Sequence, residues 1–371
     1  MGKCRLTAAA LLLVVGQGCL DTTFFGIERL EMDTSDDGDT DTSSEDGSGT
    51  GIDTDTGTDT ESDTGEACGV PREFRWTSSA PLVFPPDGAT GIKDPSAVRY
   101  NNQWLVFSTV LAEPLGISYF TVSDLSSAGD AALTPVGTNE NLAGYKAAPQ
   151  LFYFEPQGLW YLVFQTQDPA YSTNTHPTDV DGWTAPTQVM SLPPLLTDND
   201  AVGYDYWIIC DDTECFMFFT GANDVLYRAR TLKTDFPSGF GETEVVMEGE
   251  GFNLFEACNV YKMDGTDLYL LLVAGIGSEG NQYRFWTSDS LDGTWTPAVD
   301  ATDNTFASLS NVTGADWATF GIAHGELLRE NPDETMTIDT CEMQYLFSGL
   351  YQEDAETDAV TAIGLLTDAR Q

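Results

Sequence analysis

Positive charge is scarce in this chain of 371 residues: 15 Lys and Arg stand against 59 Asp and Glu, for a formal net charge of −44. A chain so poor in cations is ill suited to phosphate-rich partners, which excludes nucleic acid and direct docking onto anionic lipid. A neutral substrate such as a sugar meets no such objection. Histidine is represented only by His176 and His324. No Cys-x-x-Cys pair or histidine cluster exists, which argues against zinc. The chain also has no Gly-x-Ser-x-Gly elbow, no P-loop and no nucleotide-type glycine fingerprint. Helix-period segments are few, and no apolar run is long enough to span a bilayer.

The N-terminus reads as a processing segment. Lys3 and Arg5 precede an apolar stretch over residues 6–15, which ends at Gly16-Gln17-Gly18-Cys19. A Cys after small residues there resembles a bacterial lipoprotein cleavage site, with Cys19 as the lipidated first residue; Gly16 departs from the usual Leu or Val. Residues 1–19 are therefore expected to be a signal peptide, leaving a protein exported to the cell surface or outer membrane, or else secreted. Residues 31–66 are almost only Asp, Thr, Ser, Gly and Glu, without Lys or Arg. Such a tract repels itself and cannot bury a core, so residues 20–67 are expected to be a disordered acidic linker.

From about Arg72 onward short apolar runs alternate with Gly, Pro, Asn and Asp, as in a strand-rich domain over residues 68–371. Five runs are alike: WLVFSTV from Trp104, WYLVFQT from Trp160, CFMFFTG from Cys215, LYLLLVAG from Leu268 and QYLFSGL from Gln344. GWTAPTQV (182–189) echoes GTWTPAV (293–299), and AYSTN (170–174) echoes FWTSDSL (285–291). Repetition of four-stranded units predicts an all-β, five-bladed β-propeller, with a β-sandwich or paired barrels as the alternative. Cys210 and Cys215 flank a hairpin-like DDTE and are expected to bridge; Cys68 and Cys341 would then join the start of the domain to its last part, leaving Cys258 free.

Three carboxylates sit in apolar surroundings: Asp94 in GIKDPSAV (91–98), Asp205 in GYDYWIIC (203–210) and Glu256 in NLFEACNVY (253–261). A buried carboxylate is costly unless paired, hydrogen-bonded or protonated. Three of them, far apart in sequence, suggest one converging site at the propeller axis, although each alone reads equally as a capping or turn acid. Glycoside hydrolysis is the reaction that most directly needs separated carboxyls of different pKa: one donates a proton to the leaving oxygen while another activates water or attacks the sugar.

At these residues the chain resembles the α-L-arabinofuranosidases of glycoside hydrolase family 62, relatives of family 43. FRWTSSAPL at Phe74, GIKDPS at Gly91, GYKAAPQLFYFEPQGLWYLVFQ (144–165), FPSGFGETEVVM at Phe236, NLFEACNVY at Asn253, YRFWTSDSL at Tyr283 and AHGELLR at Ala323 carry the resemblance. It implies a five-bladed propeller that removes arabinofuranosyl side chains from arabinoxylan with inversion. In that scheme Asp94 is the general base, Glu256 the general acid and Asp205 the pKa modulator. An inverting pair stands about 6.5–9.5 Å apart. By the same resemblance Lys93 keeps Asp94 ionised or meets a hydroxyl, Trp76 and Ile92 give an apolar wall, and Gln150 reads hydroxyls. Arg284 binds a hydroxyl, holds an acid or makes a structural salt bridge. His324 matches a histidine beside an axial calcium, while as a residue alone it reads as a core histidine, since calcium prefers oxygen.

The chain departs from the family's pattern at Gly203 and Tyr206, at Asn281 and Gln282, and over residues 354–366. These departures bear on the polymer-binding rim, so branched arabinan or arabino-xylo-oligosaccharides are alternative substrates. A non-catalytic carbohydrate-binding propeller is the alternative outside enzymes. The protein is expected to act as a monomer.

Overall fold

The computed structural model describes residues 68–69, 71, 73–192, 203–221, 224–297, 304–354 and 357–369. They belong to the second of two compact units, Met1–Gly65 and Glu66–Gln371. The signal segment, Cys19 and the acidic tract lie outside the described residues.

The fold is an all-β propeller whose sheets are consistent with five blades. After β1 (Trp76–Ser78), the first blade comprises β2 (Gly91–Tyr100), β3 (Gln103–Leu111), β4 (Gly116–Val122) and β5 (Thr134–Pro135). The second comprises β6 (Ala147–Phe154), β7 (Leu159–Gln165), β8 (Pro169–Asn174) and β9 (Thr187–Gln188). In the third, β10 (Gly203–Cys210), β11 (Glu214–Gly221), β12 (Val225–Leu232) and β13 (Glu244–Glu248) pair in order. The fourth runs β14 (Glu256–Met263), β15 (Tyr269–Gly277), β16 (Gly280–Ser288) and β17 (Thr305–Ala307).

Two short strands add to this scheme: β18 (Val312–Thr313) lies parallel to β1, and β20 (Thr337–Ile338) lies parallel to the innermost strand β14. The last blade takes β19 (Ala323–Leu327), β21 (Gln344–Tyr351) and β22 (Val360–Asp368), and β1 returns from the N-terminal side as its outer strand. First and last strands thus share one sheet, which closes the ring.

The five similar apolar runs are β3, β7, β11, β15 and β21, the second strand of each blade. Both faces of these strands are covered by neighbouring blades, so they read as continuous apolar stretches rather than as alternation. The two echoes hold as well. Residues 170–174 and 285–288 lie on the third strands β8 and β16, while Thr187 and Thr296 face them from the outer edge at Tyr171 and Thr287.

Each innermost strand turns one edge toward the axis, and an unsatisfied buried edge is costly. Neighbouring blades and the segment between β19 and β21 satisfy it: β20 pairs with β14, Tyr153 N donates to Pro332 O at 2.7 Å and Cys210 N to Glu334 O at 2.8 Å. Leu151 N donates to Ser96 Oγ at 2.9 Å, and the Gln150 amide both accepts from Ile208 N (2.8 Å) and donates to Ile208 O (2.7 Å). Trp207 Nε1 donates to Val260 O at 2.8 Å, and Leu327 N donates to Tyr261 Oη at 3.0 Å. A Val98–Arg329 bridge completes the girdle.

The predicted disulfides are present, Cys68–Cys341 across 273 residues and Cys210–Cys215 across five, and Cys258 is free and buried. Closing a long loop removes more unfolded-chain entropy than closing a short one. Replacing Cys68 and Cys341 by Ser is expected to cost about 3–5 kcal/mol in urea unfolding, and replacing Cys210 and Cys215 about 2. Equal losses would contradict the ring-closing role of the first bridge.

Candidate active site

One irregularity recurs on all five innermost strands. Pairing with the second strand slips at Lys93/Ser96, Ala147/Gln150, Tyr204/Trp207, Glu256/Cys258 and Ala323/Gly325. Such bulges re-aim side chains near sites. In four of them a non-glycine residue takes positive φ: Asp94 (54°), Ala148 (49°), Asp205 (54°) and Ala257 (50°). Left-handed backbone is unfavourable for L-residues and persists only where the surroundings hold it. Here the preceding blade holds all four amides. Ser348 Oγ accepts from Asp94 N (3.1 Å), Thr109 Oγ1 from Ala148 N (2.8 Å) and Gln165 Oε1 from Asp205 N (3.4 Å). In the fourth, Ala257 N donates to Asp205 Oδ2 at 3.1 Å, which ties the bulge of Glu256 to Asp205 itself.

Reading around the axis, the bulges present Lys93 and Asp94, then Ala147 and Ala148, then Tyr204 and Asp205, then Glu256, then His324. The three sequence-predicted acids are thereby brought together with one lysine and one histidine. His324 Nδ1 lies 3.2 Å from Asp94 Oδ1 and 3.5 Å from Asp205 Oδ2, and Lys93 Nζ lies 3.4 Å from Asp94 Oδ1. Asp94 is 1% exposed, whereas Lys93 is 35% exposed and borders solvent. No ion pair or hydrogen bond reaches the Glu256 carboxyl among the described residues.

These contacts separate the acids electrostatically. Burial would raise Asp94, but the charges of Lys93 and His324 outweigh it and hold the carboxyl well below the usual carboxylate range. Asp205 is pushed up by burial and by Asp94, against the opposing pull of His324. Glu256 is pushed up to about 7, first by burial and then by Asp205 and Asp94, with Lys93 and His324 opposing. Although burial disfavours its charge, His324 is raised to about 9 by Asp205 and Asp94. At neutral pH the imidazole is thus a cation between Asp94 and Asp205.

A cavity of about 10 Å³ at the site is lined in part by Gln150, Asp205, Asn259, His324 and Glu326. Asn259 has no side-chain partner among the described residues, but Gln150 is committed to Ile208. Among the described residues, no group of three or more His, Cys, Asp or Glu could hold a metal ion. Calcium takes about six to eight oxygens. Giving one side-chain oxygen each, Gln150, Asp205, Asn259 and Glu326 on this lining fall short of that number by themselves, and no chemistry below is routed through a metal.

Three predicted binding residues belong to the core instead. Trp76 is 1% exposed; its indole donates to Phe306 O at 2.7 Å and its ring stacks on Phe74. Ile92 is fully buried beside Val110 and Ile363. Strict alternation puts residues 92 and 94 on one face, and the bulge breaks it. Gln150 is 1% exposed, and its amide exchanges two hydrogen bonds with the Ile208 backbone in the girdle. Arg284 is half-buried on β16, and its side chain makes no ion pair or hydrogen bond among the described residues. Tyr206, one of the departures from the family pattern, packs on Phe219 in the core and is not a rim residue.

Two tyrosines went unnoticed in the sequence. Tyr145 Oη accepts from Gln165 Nε2 at 3.2 Å, joining Tyr145 through Gln165 to Asp205 N. Burial and then Asp205 push its hydroxyl pKa up. Tyr204, beside Asp205, is raised by burial and then by Glu256. Their one sequence signal was adjacency, Tyr145 to the matched KAAPQ and Tyr204 to the acid.

Comparison with known proteins agrees with this geometry. A model described as glycosyl hydrolase family 62 matches residues 75–361. α-L-Arabinofuranosidase C of Cellvibrio japonicus (strain Ueda107) is 38% identical over 291 residues, covering 76% of this chain and 45% of that protein. The chain therefore spans less than half the length of this curated relative. The catalytic domain of a Coprinopsis cinerea family 62 α-L-arabinofuranosidase superposes with a TM-score of 0.76 at 39% identity, over 81% of this chain and 99% of that domain. A family 62 hydrolase solved in complex with xylotriose gives 0.74 at 36% identity, over 79% and 97% of the two chains. On this match the chain belongs to glycosyl hydrolase family 62.

Proposed function

We propose that the protein is an α-L-arabinofuranosidase that removes arabinofuranosyl side chains from arabinoxylan by inversion. The observation that carries this reading is that three carboxyls converge but share two cations unequally: Lys93 and His324 reach Asp94, His324 alone reaches Asp205, and neither pairs with Glu256 among the described residues. Asp94, kept as a carboxylate by Lys93 and His324, accepts a proton from water as that water attacks the anomeric carbon. Glu256 keeps its proton to near neutrality and donates it to the departing xylan oxygen. Asp205 raises Glu256 by charge and holds its bulge through Ala257 N. The family relatives named above support the substrate class, since one was solved with xylotriose and two are named arabinofuranosidases.

The same proposal places the enzyme outside the cytoplasm, tethered through Cys19 and the acidic tract. Two disulfides in the described residues favour an oxidising compartment. A monomer is the proposed working form.

Asp94→Asn and Glu256→Gln are each expected to lower kcat on arabinoxylan by about 10²–10⁴-fold while leaving thermal unfolding close to that of the parent. Released arabinose, followed by NMR at early times, should carry the inverted anomeric configuration. Full activity in Glu256→Gln, or retention of configuration, would contradict the assignment. Faster release from branched arabinan than from arabinoxylan would overturn the substrate.

The pH profile tests the electrostatics. Glu256 must be protonated to act, so kcat/KM should fall as pH rises through about 7. Asp205 raises Glu256, and its residual activity in Asp205→Asn should therefore decline at lower pH than in the parent. Lys93 lowers Glu256, so Lys93→Met should move the same limb upward. Shifts of the same sign in both variants would refute the charge coupling.

A further inference from the structure

An acid that protonates a leaving oxygen must stand on the side of the departing sugar, so the surface beside Glu256 is where that sugar rests. Four residues before Glu256, Phe252 is 54% exposed. Its backbone has a φ of 67°, a region costly for an aromatic residue. Nothing in the core repays that strain, because the side chain remains largely in solvent. Strain held at an exposed aromatic next to a reacting group points to function rather than to folding.

The loop is built to hold it. Asp224, at the tip between β11 and β12, accepts from Phe252 N through Oδ2 at 2.9 Å and from Leu254 N through Oδ1 at 2.5 Å. The Asp224 carbonyl also accepts from Gly249 N at 2.8 Å. From the next blade, Ile276 N donates to Phe252 O at 2.9 Å. The Phe255 ring meets that of Phe252 edge to face, with centroids 5.7 Å apart, and sets its tilt. Two blades therefore grip the backbone of one residue and leave its ring outside.

We propose that Phe252 is a stacking platform for a pyranose ring of the leaving xylan, held in place by Asp224. This rests on the hydrolase reading above and names a specificity residue for it. A rigid aromatic face suits the apolar face of a neutral sugar and asks for no charge, in keeping with the scarcity of cations. Phe252 touches the leaving group and not the reacting carbon, so its loss weakens binding more than chemistry.

The test compares Phe252→Ala and Phe252→Trp with the parent chain on arabinoxylan and on methyl α-L-arabinofuranoside, whose leaving group has no ring. Phe252→Ala should raise KM on arabinoxylan by about 3–10-fold more than on the methyl glycoside, with a smaller change in kcat, and Phe252→Trp should restore it. Equal effects on both substrates would reduce Phe252 to a structural role and overturn the platform. Calorimetric titration with xylotetraose decides the matter independently of turnover: a Kd unchanged in Phe252→Ala overturns the proposal, and a rise of about 3–10-fold supports it. Failure of the parent chain to release arabinose from either substrate would refute the hydrolase reading, while the xylotetraose titration would still judge the platform.

Discussion

Two cations shared among three carboxyls set the chemistry of this site. Lys93 and His324 both reach Asp94, and His324 also reaches Asp205. Glu256 has no such contact among the described residues, yet feels the negative charge of both acids. In a buried cluster a carboxyl without a direct counter-charge keeps its proton, because ionising it adds an unpaired charge in a poorly solvated place. The inequality between acid and base therefore follows from who touches whom. His324 gains most of its charge from the acids it bridges, so the groups define one another and titrate as a set.

The fold makes this inequality possible by repeating one defect. Each innermost strand bulges at the same level, so five short side-chain displays face one axis. Small residues at Ala147 and Ala148 keep one sector of the ring free of bulk, while the other four carry the charged and aromatic groups. The girdle of hydrogen bonds, from Ser96 to Leu151 and onward to Arg329, satisfies the inner edges together with β20, which pairs with β14. Polar residues such as Gln150 are conscripted into that girdle and are lost to substrate binding. Phe252 shows the opposite arrangement, with its backbone tightly held and its side chain left free.

Much of this was legible in the sequence, for physical reasons that differ by residue. The strands most buried on both faces gave the clearest signal, so the repeat emerged from WLVFSTV and its counterparts. Asp94, Asp205 and Glu256 stood out because a carboxylate among apolar neighbours conflicts with ordinary burial. The disulfides followed from cysteine spacing. Trp76 and Ile92 read as an apolar wall by resemblance, and a matched apolar residue looks the same in sequence whether it lines a pocket or the core; both are buried. Gln150 was misread because an amide that binds backbone and one that binds sugar look alike in sequence. His324 carried a family match to an axial calcium, and what the sequence could not give is its position, with Nδ1 between Asp94 and Asp205. Tyr145, Tyr204 and Phe252 gave little local signal, since their roles arise from which blades meet at the rim.

The most direct test of the charge-sharing account is the titration of Glu256 itself. Side-chain carboxyl ¹³C resonances, with Glu256 assigned by its loss in Glu256→Gln, would be followed from about pH 4 to about pH 9. The account predicts a midpoint for Glu256 of about 7 while Asp94 remains ionised throughout. A Glu256 midpoint near the ordinary value of 4.5 would contradict it.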